Sequence, residues 1–407
     1  MRPPLVVAVW PLLLSSIVSR AAAEPFSIDE TTFVAELGND PRRKISEARV
    51  AAARADVAAA SVRVNPSIGY EREEPFVDGS GIPTTYLRVT VPFEVSGRRG
   101  REIDAATAGV RAATSDAAST ELQRVIEALR VFDDAARARQ QLELLANART
   151  LLAGAVEIAR QRGKAGDAAG YQVQRFELEL AAHDDEITSA RIELSRLRLR
   201  LATLIGRTGE LDASARFELP VVPPIERLLA TANGRGDLRA TQLRGEAATR
   251  RLAAASRAWV PMPSLMFGAM TADLGDQTGT GYVAGLTLTL PVFDRGQADR
   301  ARAAADRTAA TAATRVLERE IPGAVQIAYT SLSARIDQVR AFESGQLGRL
   351  DGILRAVETA YREGSTSVVE LLDAHRAARV VRLRALELRY QVTRDKRELE
   401  LAVGQRL

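Results

Sequence analysis

Matched proline and glycine residues occur in the same order in both halves of the chain, and this duplication constrains its fold more than any other feature. The matched residues, a Pro or a Gly in each half, are Pro66 with Pro263, Pro92 with Pro291, Gly163 with Gly364, and Gly206 with Gly404. The members of these pairs are 197, 199, 201 and 198 residues apart. Because chance similarity does not maintain so constant an offset, the sequence predicts two structural repeats.

Each repeat contains two segments in which apolar and polar residues alternate. Leu87, Val89 and Val91 share one face in the first repeat, and Leu286 and Leu288 do so in the second. This period of two predicts strands at about 64–76, 84–93, 262–272 and 281–292. Strands of about ten residues can cross a bilayer when tilted. A small soluble sheet with one solvent-exposed face explains the alternation equally well.

Long helices are predicted after each pair of strands. No Pro occurs between Pro92 and Pro220, and apolar residues there recur every three or four positions, as in Leu194, Leu197 and Leu201. This spacing predicts coiled-coil-like helices at about 97–162, 170–205, 295–362 and 367–403, with a kink at Pro322-Gly323. The first of these helices would be roughly 100 Å long, which no compact domain needs.

The N-terminus has the layout of a secretory signal peptide. Met1-Arg2 is a basic start, Leu5 to Val18 is apolar, and Ala21 to Ala23 offer small residues for cleavage. The apolar stretch is shorter than the roughly 20 residues of a spanning helix and contains Pro11, which argues against an uncleaved anchor. The predicted domains are a signal peptide at 1–23, a first repeat at 24–206, a linker at 207–225 and a second repeat at 226–407.

Composition excludes several classes of protein. The chain has no Cys, which excludes disulfides, thiolate metal sites, cysteine nucleophiles and a lipid anchor on cysteine. Its 56 basic and 52 acidic side chains form no basic stripe beside aromatic residues, so nucleic acid is not an expected partner. His183 and His375 have no second His or Cys nearby in the sequence, so we expect both on exposed helix faces. No phosphate loop or catalytic pattern is present, and we predict no cofactor and no enzymatic activity.

Four membrane strands cannot stand alone. The open edges of such a sheet would expose unpaired backbone groups to hydrocarbon. If the strands span a membrane, the chain must therefore oligomerise, and three chains would close a barrel of twelve strands that is wide enough for an aqueous lumen. The same closure would arrange the helices around a continuing tube.

The chain resembles the TolC-type outer-membrane factors of tripartite efflux pumps and type I secretion systems over nearly its whole mature length. Val91 to Glu94 and Leu290 to Phe293 resemble the strand-to-helix junctions of that family, and Tyr361 to Ser365 with Val369 to Ala374 resembles its second periplasmic turn. Pro92 to Gly100 is similar to the branch that exports heavy-metal cations.

The resemblance implies a mainly α fold with a small β part. In the family, a homotrimer forms a twelve-stranded outer-membrane barrel that continues as a periplasmic α-helical barrel. An equatorial belt would be formed here by the chain ends and residues 207–225. The implied partners are a periplasmic adaptor, an inner-membrane transporter of the RND type and outer-membrane lipid. The implied function is a passive export duct for heavy-metal cations or small toxic compounds in a Gram-negative bacterium.

The resemblance also implies roles for particular residues. The periplasmic constriction would be formed by Glu370, Asp373, Tyr361 and Arg362. Threefold rings of carboxylates there would attract cations and have raised proton affinity, although a solvated helix face explains Glu370 and Asp373 without the resemblance. The turns that contact the adaptor would contain Gly163, Gly166, Gly364, Ser365, Ser367 and Val368, and the strand-to-helix junctions would be Pro92 and Pro291.

Three other functions account for parts of the sequence less completely. A soluble periplasmic coiled-coil protein with a structural or tethering role explains the helices and the signal peptide but leaves the strand pairs without a purpose. The adaptor subunit itself would carry one helical hairpin between small β-domains. An exported enzyme lacks a plausible site.

Overall fold

The computed structural model describes residues 26–407 except 78, 79, 82, 165–169, 274 and 276. The predicted signal peptide lies outside the described residues. The elements of the first half and the linker are β1 (Phe26–Ile28), α1 (Glu30–Leu37), α2 (Pro41–Ser61), β2 (Ser67–Glu73), β3 (Phe76–Val77), β4 (Ser80–Gly81), β5 (Thr84–Pro92), α3 (Arg98–Lys164), α4 (Gly170–Leu204) and β6 (Leu211–Ala213). Those of the second half are α5 (Ile225–Ala232), α6 (Gly236–Ala255), β7 (Met262–Asp273), β8 (Thr278–Thr289), α7 (Gln297–Phe342), a π-helical turn (Glu343–Leu347), α8 (Gly348–Arg362) and α9 (Val368–Val403).

The fold is mainly helical with a small β part, as predicted. Helix α3 has 67 residues and is therefore about 100 Å long at 1.5 Å per residue. It packs against α4, α2, α6 and α9, while α7 packs against α6 and α9. Among the described residues, no helix is both long enough and apolar enough to cross a membrane.

The second long helix differs from the prediction. Helix α7 continues through Pro322, and the departure from α-helical hydrogen bonding lies instead at the π-helical turn of residues 343–347. There the hydroxyl of Ser344 donates to the carbonyl of Arg340 at 2.9 Å, and Gly345 and Gly348 weaken the helix locally. The predicted kink at Pro322-Gly323 does not break the helix, and a bend of its axis there stays a prediction.

Four glycines explain part of the duplicated pattern. Gly97 and Gly296 precede α3 and α7 with φ of 69° and 73°, and Gly206 and Gly404 follow α4 and α9 with φ of 69° and 82°. A positive φ is readily adopted only by glycine. The two repeats therefore enter and leave their long helices through the same backbone conformation.

The apolar core follows the helix bundle and has no single centre. Near the equator, the rings of Phe33 in α1 and Phe132 in α3 stack with their centroids 5.3 Å apart. A second cluster joins α5, α7 and α9, and a third joins α3, α4, α8 and α9 near the turn at residues 363–367.

A short parallel pairing ties the start of the described chain to the linker. Strand β1 pairs with β6 so that Phe26 lies opposite Leu211, and the amide of Ser214 donates to the carbonyl of Ile28 at 2.8 Å. The linker residues 207–225 are thereby fixed against α3 and α4, which β6 contacts.

A buried ion cluster lies beside this pairing. The guanidinium of Arg397 in α9 is 3.1 Å from the Asp133 carboxylate, 2.7 Å from Glu30 and 3.2 Å from Glu400. Burial raises the pKa of Asp133 to about 6, although Arg397 acts in the opposite direction. The cluster joins α1, α3 and α9 at the level of the linker.

Candidate functional site

Four strands form one antiparallel sheet, in which the two strands of the first repeat lie beside the two strands of the second. Its order is β2-β5-β7-β8, so the central contact joins β5 of the first repeat to β7 of the second. The register places Val89 opposite Phe267 and Leu265 opposite Leu286. Because directly opposed residues share a face of a sheet, this register defines the composition of both faces.

One face of the sheet is apolar. The apolar residues of this face are Ile68, Tyr70, Leu87, Val89, Val91, Pro263, Leu265, Phe267, Ala269, Tyr282, Ala284, Leu286 and Leu288. Near the turn between β7 and β8, the same side of the sheet carries the polar residues Arg72, Thr85, Thr271, Asp273, Thr278 and Thr280. The large apolar side chains are exposed, with Ile68 at 75% and Tyr282 at 87%. An exposed apolar surface of this extent calls for a membrane or a protein to cover it.

The opposite face is built from small and hydrophilic residues and methionine. This polar face contains Ser67, Gly69, Glu71, Thr84, Tyr86, Arg88, Thr90, Ser264, Met266, Gly268, Met270, Gly281, Val283, Gly285 and Thr287. Arg88 forms an ion pair with Glu71 and lies 4.2 Å from the ring centroid of Tyr86. Along β5, the polar-face residues are more sheltered than Leu87 and Val89 of the apolar face.

Both outer strands have a free edge in the described chain. Strand β2 pairs only with β5, and β8 pairs only with β7. The outward-pointing backbone groups of β2 and β8 can each accept a further strand. Such a sheet is incomplete in a bilayer until those edges are paired.

The predicted junction residues lie between strands and helices. Pro92 is the last residue of β5, after which the amide of Phe93 donates to the carbonyl of Pro263 at 2.8 Å. Pro291 follows β8, and the next amide, of Val292, donates to the carbonyl of Leu290 at 2.9 Å. Each proline lacks an amide hydrogen and so cannot donate to a strand ladder at the point where its strand gives way to the helix.

The turn between α8 and α9 is held by a capping box. Gly364 adopts φ of 78°, and the amide of Ser365 donates to the carbonyl of Ala360 at 2.9 Å. Ser367 is the N-cap of α9, and its amide donates to the Glu370 carboxylate at 2.8 Å. The spacing Ser-x-x-Glu is a sequence signal for this arrangement.

Glu370 therefore has a structural partner within its own chain. The hydroxyl of Thr366 also donates to its carboxylate, and this bond, followed by those from Ser367, lowers the pKa of Glu370. In the single chain, hydrogen-bond donors thus stabilise the charged form of Glu370, and the raised proton affinity of threefold carboxylate rings stays a prediction.

Asp373 lies one turn further along α9 and is exposed. Its carboxylate is 3.7 Å from the guanidinium of Arg376, which also binds Glu179 of α4 at 2.5 Å. Glu179 and Arg376 are 197 residues apart, which is the repeat offset. The ion pair thus joins matching levels of the two repeats, a contact that sequence reasoning missed.

Two predicted site residues are buried instead of facing a partner. Tyr361 is 1% exposed and meets Phe176 edge-on, with 6.3 Å between ring centroids. Val368 is 3% exposed in the same apolar cluster. The prediction that Val368 contacts an adaptor does not agree with this burial, and Tyr361 is held by its own chain. Arg362, by contrast, is exposed.

The first turn is described only in part. Gly163 lies in the last turn of α3, while Gly166 lies outside the described residues. The residues outside the description, 165–169, fall between α3 and α4, which pack against each other.

The prediction of exposed histidines was wrong. His183 is 5% exposed, and the Nε2 of His375 lies 3.6 Å from Glu358. Burial lowers the pKa of both imidazoles. Within the described part of the chain, no group of three His, Cys, Asp or Glu side chains could hold a metal ion.

The chain thus combines a two-faced sheet that has free edges with long helices, of which α3 is about 100 Å long. This fold is that of solved outer-membrane channels: the structure superposes on that of CusC, which is described as forming a transmembrane channel, with a TM-score of 0.75 and 18% identity. The superposition covers 96% of each chain.

Sequence comparison gives the family. Residues 230–405 match the outer membrane efflux protein family. The second repeat thus matches this family and the whole chain has the fold of solved outer-membrane channels, which agrees with the resemblance and the outer-membrane location predicted from the sequence. Family and fold are those of channels rather than enzymes.

Two relatives have names that refer to metals. The chain is 23% identical over 290 residues to the nickel-cobalt-cadmium resistance protein NccC of Alcaligenes xylosoxydans xylosoxydans, covering 70% of this chain and 65% of NccC, just under two thirds of its length. It is 26% identical over 313 residues to the nickel and cobalt resistance protein CnrC of Cupriavidus metallidurans, covering 75% of this chain and 72% of CnrC.

Proposed function

We propose that the chain is the outer-membrane channel of a tripartite efflux system and that it exports metal cations. The observation that carries this proposal is the sheet: one apolar face, one polar face and two free edges. A soluble sheet would leave its apolar face in water, whereas a membrane strand needs that face and a partner at each edge.

The functional unit in this proposal is a homotrimer. Strand β8 of one chain pairs with β2 of the next, and three four-stranded sheets close a barrel of twelve strands. Such a barrel is wider than an eight-stranded one, which its own side chains fill. The apolar face then meets lipid, and the polar face, with Arg88 and Glu71, lines an aqueous lumen.

The helices continue the duct into the periplasm and end at the turn before α9. Glu370 and Asp373 are exposed there, and threefold repetition places them in rings that favour cations. The exposed residues Gly364, Ser365 and Ser367 form the adaptor-facing surface of this turn. The adaptor connects the duct to an inner-membrane transporter of the RND type, which supplies the energy.

The proposed cargo rests on the relatives. Both NccC and CnrC are named for resistance to nickel and cobalt, and NccC also for cadmium. Carboxylate rings and an open lumen suit hydrated divalent cations, since they attract positive charge without a closed binding site.

Fractionation and cross-linking test the assembly. The chain is produced in a Gram-negative host, the inner and outer membranes are separated on a density gradient, and the product is cross-linked before denaturing electrophoresis. We expect a trimer in the outer-membrane fraction. A monomer or dimer released with the periplasm would contradict the proposal and favour a soluble coiled-coil protein.

Single-channel recording tests the constriction. We expect the double variant E370Q/D373N to conduct more and to prefer cations less, because both carboxylates of the ring are neutral. The control is Asp337→Asn. Like Asp373, Asp337 is exposed and pairs with an arginine three residues later, Arg340, at 3.4 Å, but it lies on α7, away from the turn before α9. Equal conductance and selectivity in the double variant, the control and the parent would remove these carboxylates from the constriction.

A further inference from the structure

All methionines within the described residues lie on one strand. The sequence contains four, and the three within the described residues are Met262, Met266 and Met270, all on β7. They recur every fourth residue, so all three side chains lie on the same side of the strand. That side is the polar face, because Ser264 and Gly268 lie between them in the same alternation.

Two of these methionines lie opposite glycine residues of β8. Across the β7–β8 ladder, Met266 is opposite Gly285 and Met270 is opposite Gly281. A Cβ at Gly285 would come within 2.9 Å of the Met266 methyl, and one at Gly281 would lie 3.3 Å from Cγ and 3.6 Å from Sδ of Met270. The thioether side chains therefore extend over the glycines of β8, which carry no side chain of their own.

The surroundings differ from those of an ordinary core methionine. Met262 is 37% exposed, and Met266 and Met270 are half-buried. Their cross-strand neighbours on the other side include Thr90 and Tyr86 of β5. Gap filling between apolar side chains does not account for three thioethers on a hydrophilic surface.

The chemistry of the thioether indicates a ligand. Sulfur in methionine is uncharged and polarisable, and it favours soft cations such as Cu(I). We propose that Met262, Met266 and Met270 form a row of weak contact sites for soft monovalent cations of the Cu(I) class. Adjacent methionines are about 13 Å apart along the strand, so each sulfur acts as a separate contact.

Separate weak contacts suit a conduit. An ion must bind well enough to enter and weakly enough to leave, which a series of single-thioether contacts allows and a closed multi-ligand site does not. That the row faces a lumen rests on the proposed function. The affinity of the row for soft cations does not depend on it.

Methyl NMR of the purified full-length protein tests this inference. The protein is labelled with [methyl-13C]methionine and titrated with Ag(I), a redox-stable probe of the Cu(I) class. The chain has no Cys, and the labelled methyls report only on methionine. We expect the β7 methyl resonances to move progressively with Ag(I) and to remain unchanged with K(I) or Ni(II). Unmoved resonances at millimolar Ag(I) would overturn the proposal.

Matched variants separate ligation from packing. Met→Leu conserves side-chain volume, so the triple variant M262L/M266L/M270L keeps the packing and loses the sulfur. We expect at least a threefold decrease in Ag(I) bound per chain by calorimetry. In the control Leu286→Met, a thioether is placed on the apolar face, where detergent covers it, and its methyl should not respond. Equal Ag(I) binding by the triple variant and the parent would overturn the proposal.

The two proposals fail in different ways. A trimer in the outer membrane whose methionines ignore Ag(I) would overturn the methionine row and leave the efflux channel standing. A soluble monomer whose β7 methyls respond to Ag(I) would overturn the channel and retain the affinity of the row.

Discussion

An arginine at Ala284 tests which face of the sheet meets lipid. Ala284 lies on the apolar face opposite Phe267, next to the centre of β8, which has 12 residues. At 3.4 Å per residue the strand is about 40 Å long, and a tilt of about 40° gives a height of roughly 30 Å. Ala284 therefore lies close to the bilayer midplane, where an arginine on the lipid face costs about 2–4 kcal/mol.

The same arithmetic gives a smaller cost at Leu288. This residue is on the apolar face but near the end of β8, about 12 Å from the midplane in the geometry above. The cost of a charge there decreases to about 0–1 kcal/mol. Leu288, an obvious position from the sequence, is therefore a weaker test of the lipid-facing surface than Ala284.

The assay compares trimer yields in the outer membrane. Three variants are measured against the parent: Ala284→Arg, Leu288→Arg, and Val283→Arg as the control on the polar face. A cost of 2–4 kcal/mol corresponds to a decrease of roughly 30- to 1,000-fold in the folded fraction at equilibrium. We expect Ala284→Arg to lose most of the trimer and Val283→Arg to retain it. Equal losses at positions 283 and 284, or a greater loss at 283, would refute the assignment of faces.

Three further predictions concern the helical part. Burial raises the pKa of Asp133 from 3.8 to about 6, so the folded state binds the Asp133 proton more tightly than the unfolded state does. This difference contributes about 3 kcal/mol to the free energy of unfolding. The contribution is fully present below pH 3.8 and is lost as pH rises through 6. Thermal melts from pH 4 to 7.5 should show this loss in the parent and a flatter profile in Asp133→Asn; identical profiles would exclude Asp133 as its source. Gly296→Ala should lower the melting temperature more than Gly97→Ala. Both glycines have a positive φ, but a Cβ at Gly296 would lie 2.5 Å from the Cβ of Ala258, whereas a Cβ at Gly97 would have no atom within 4 Å. Equal decreases in melting temperature would mean that the clash at Gly296 relaxes. Ser367→Ala should remove about 1 kcal/mol from the start of α9, seen as faster amide exchange there, and unchanged exchange would contradict the role of this cap.

The duplication could be predicted because it is written in residues with special backbone requirements. Gly206 and Gly404 share a positive φ after their long helices, and no other residue type adopts that conformation as readily. Pro92 and Pro291 similarly lie where a strand gives way to a helix, and neither has an amide hydrogen to donate to a ladder. Such glycines and prolines can be recognised in a single sequence even when the residues between them differ.

The burial of particular helix residues could not be predicted in the same way. Helix α9 packs against α3, α7 and α8, so neighbours cover it from several directions and apolar spacing alone does not identify its wet side. Val368 is buried for this reason. The capping role of Glu370, by contrast, is predicted by Ser367 three residues before it.

The order of the sheet has a consequence for stoichiometry. Within one chain, the second strand of the first repeat pairs with the first strand of the second repeat, as β5 with β7. In the proposed trimer, the contact between subunits joins β8 to β2, which is again a second strand with a first strand. Intrachain and intersubunit seams are then equivalent, and the trimer is a pseudo-hexamer of single repeats. Covalent linkage at residues 207–225 fixes the number of chains at three, while the shape of the closed ring requires only six similar halves.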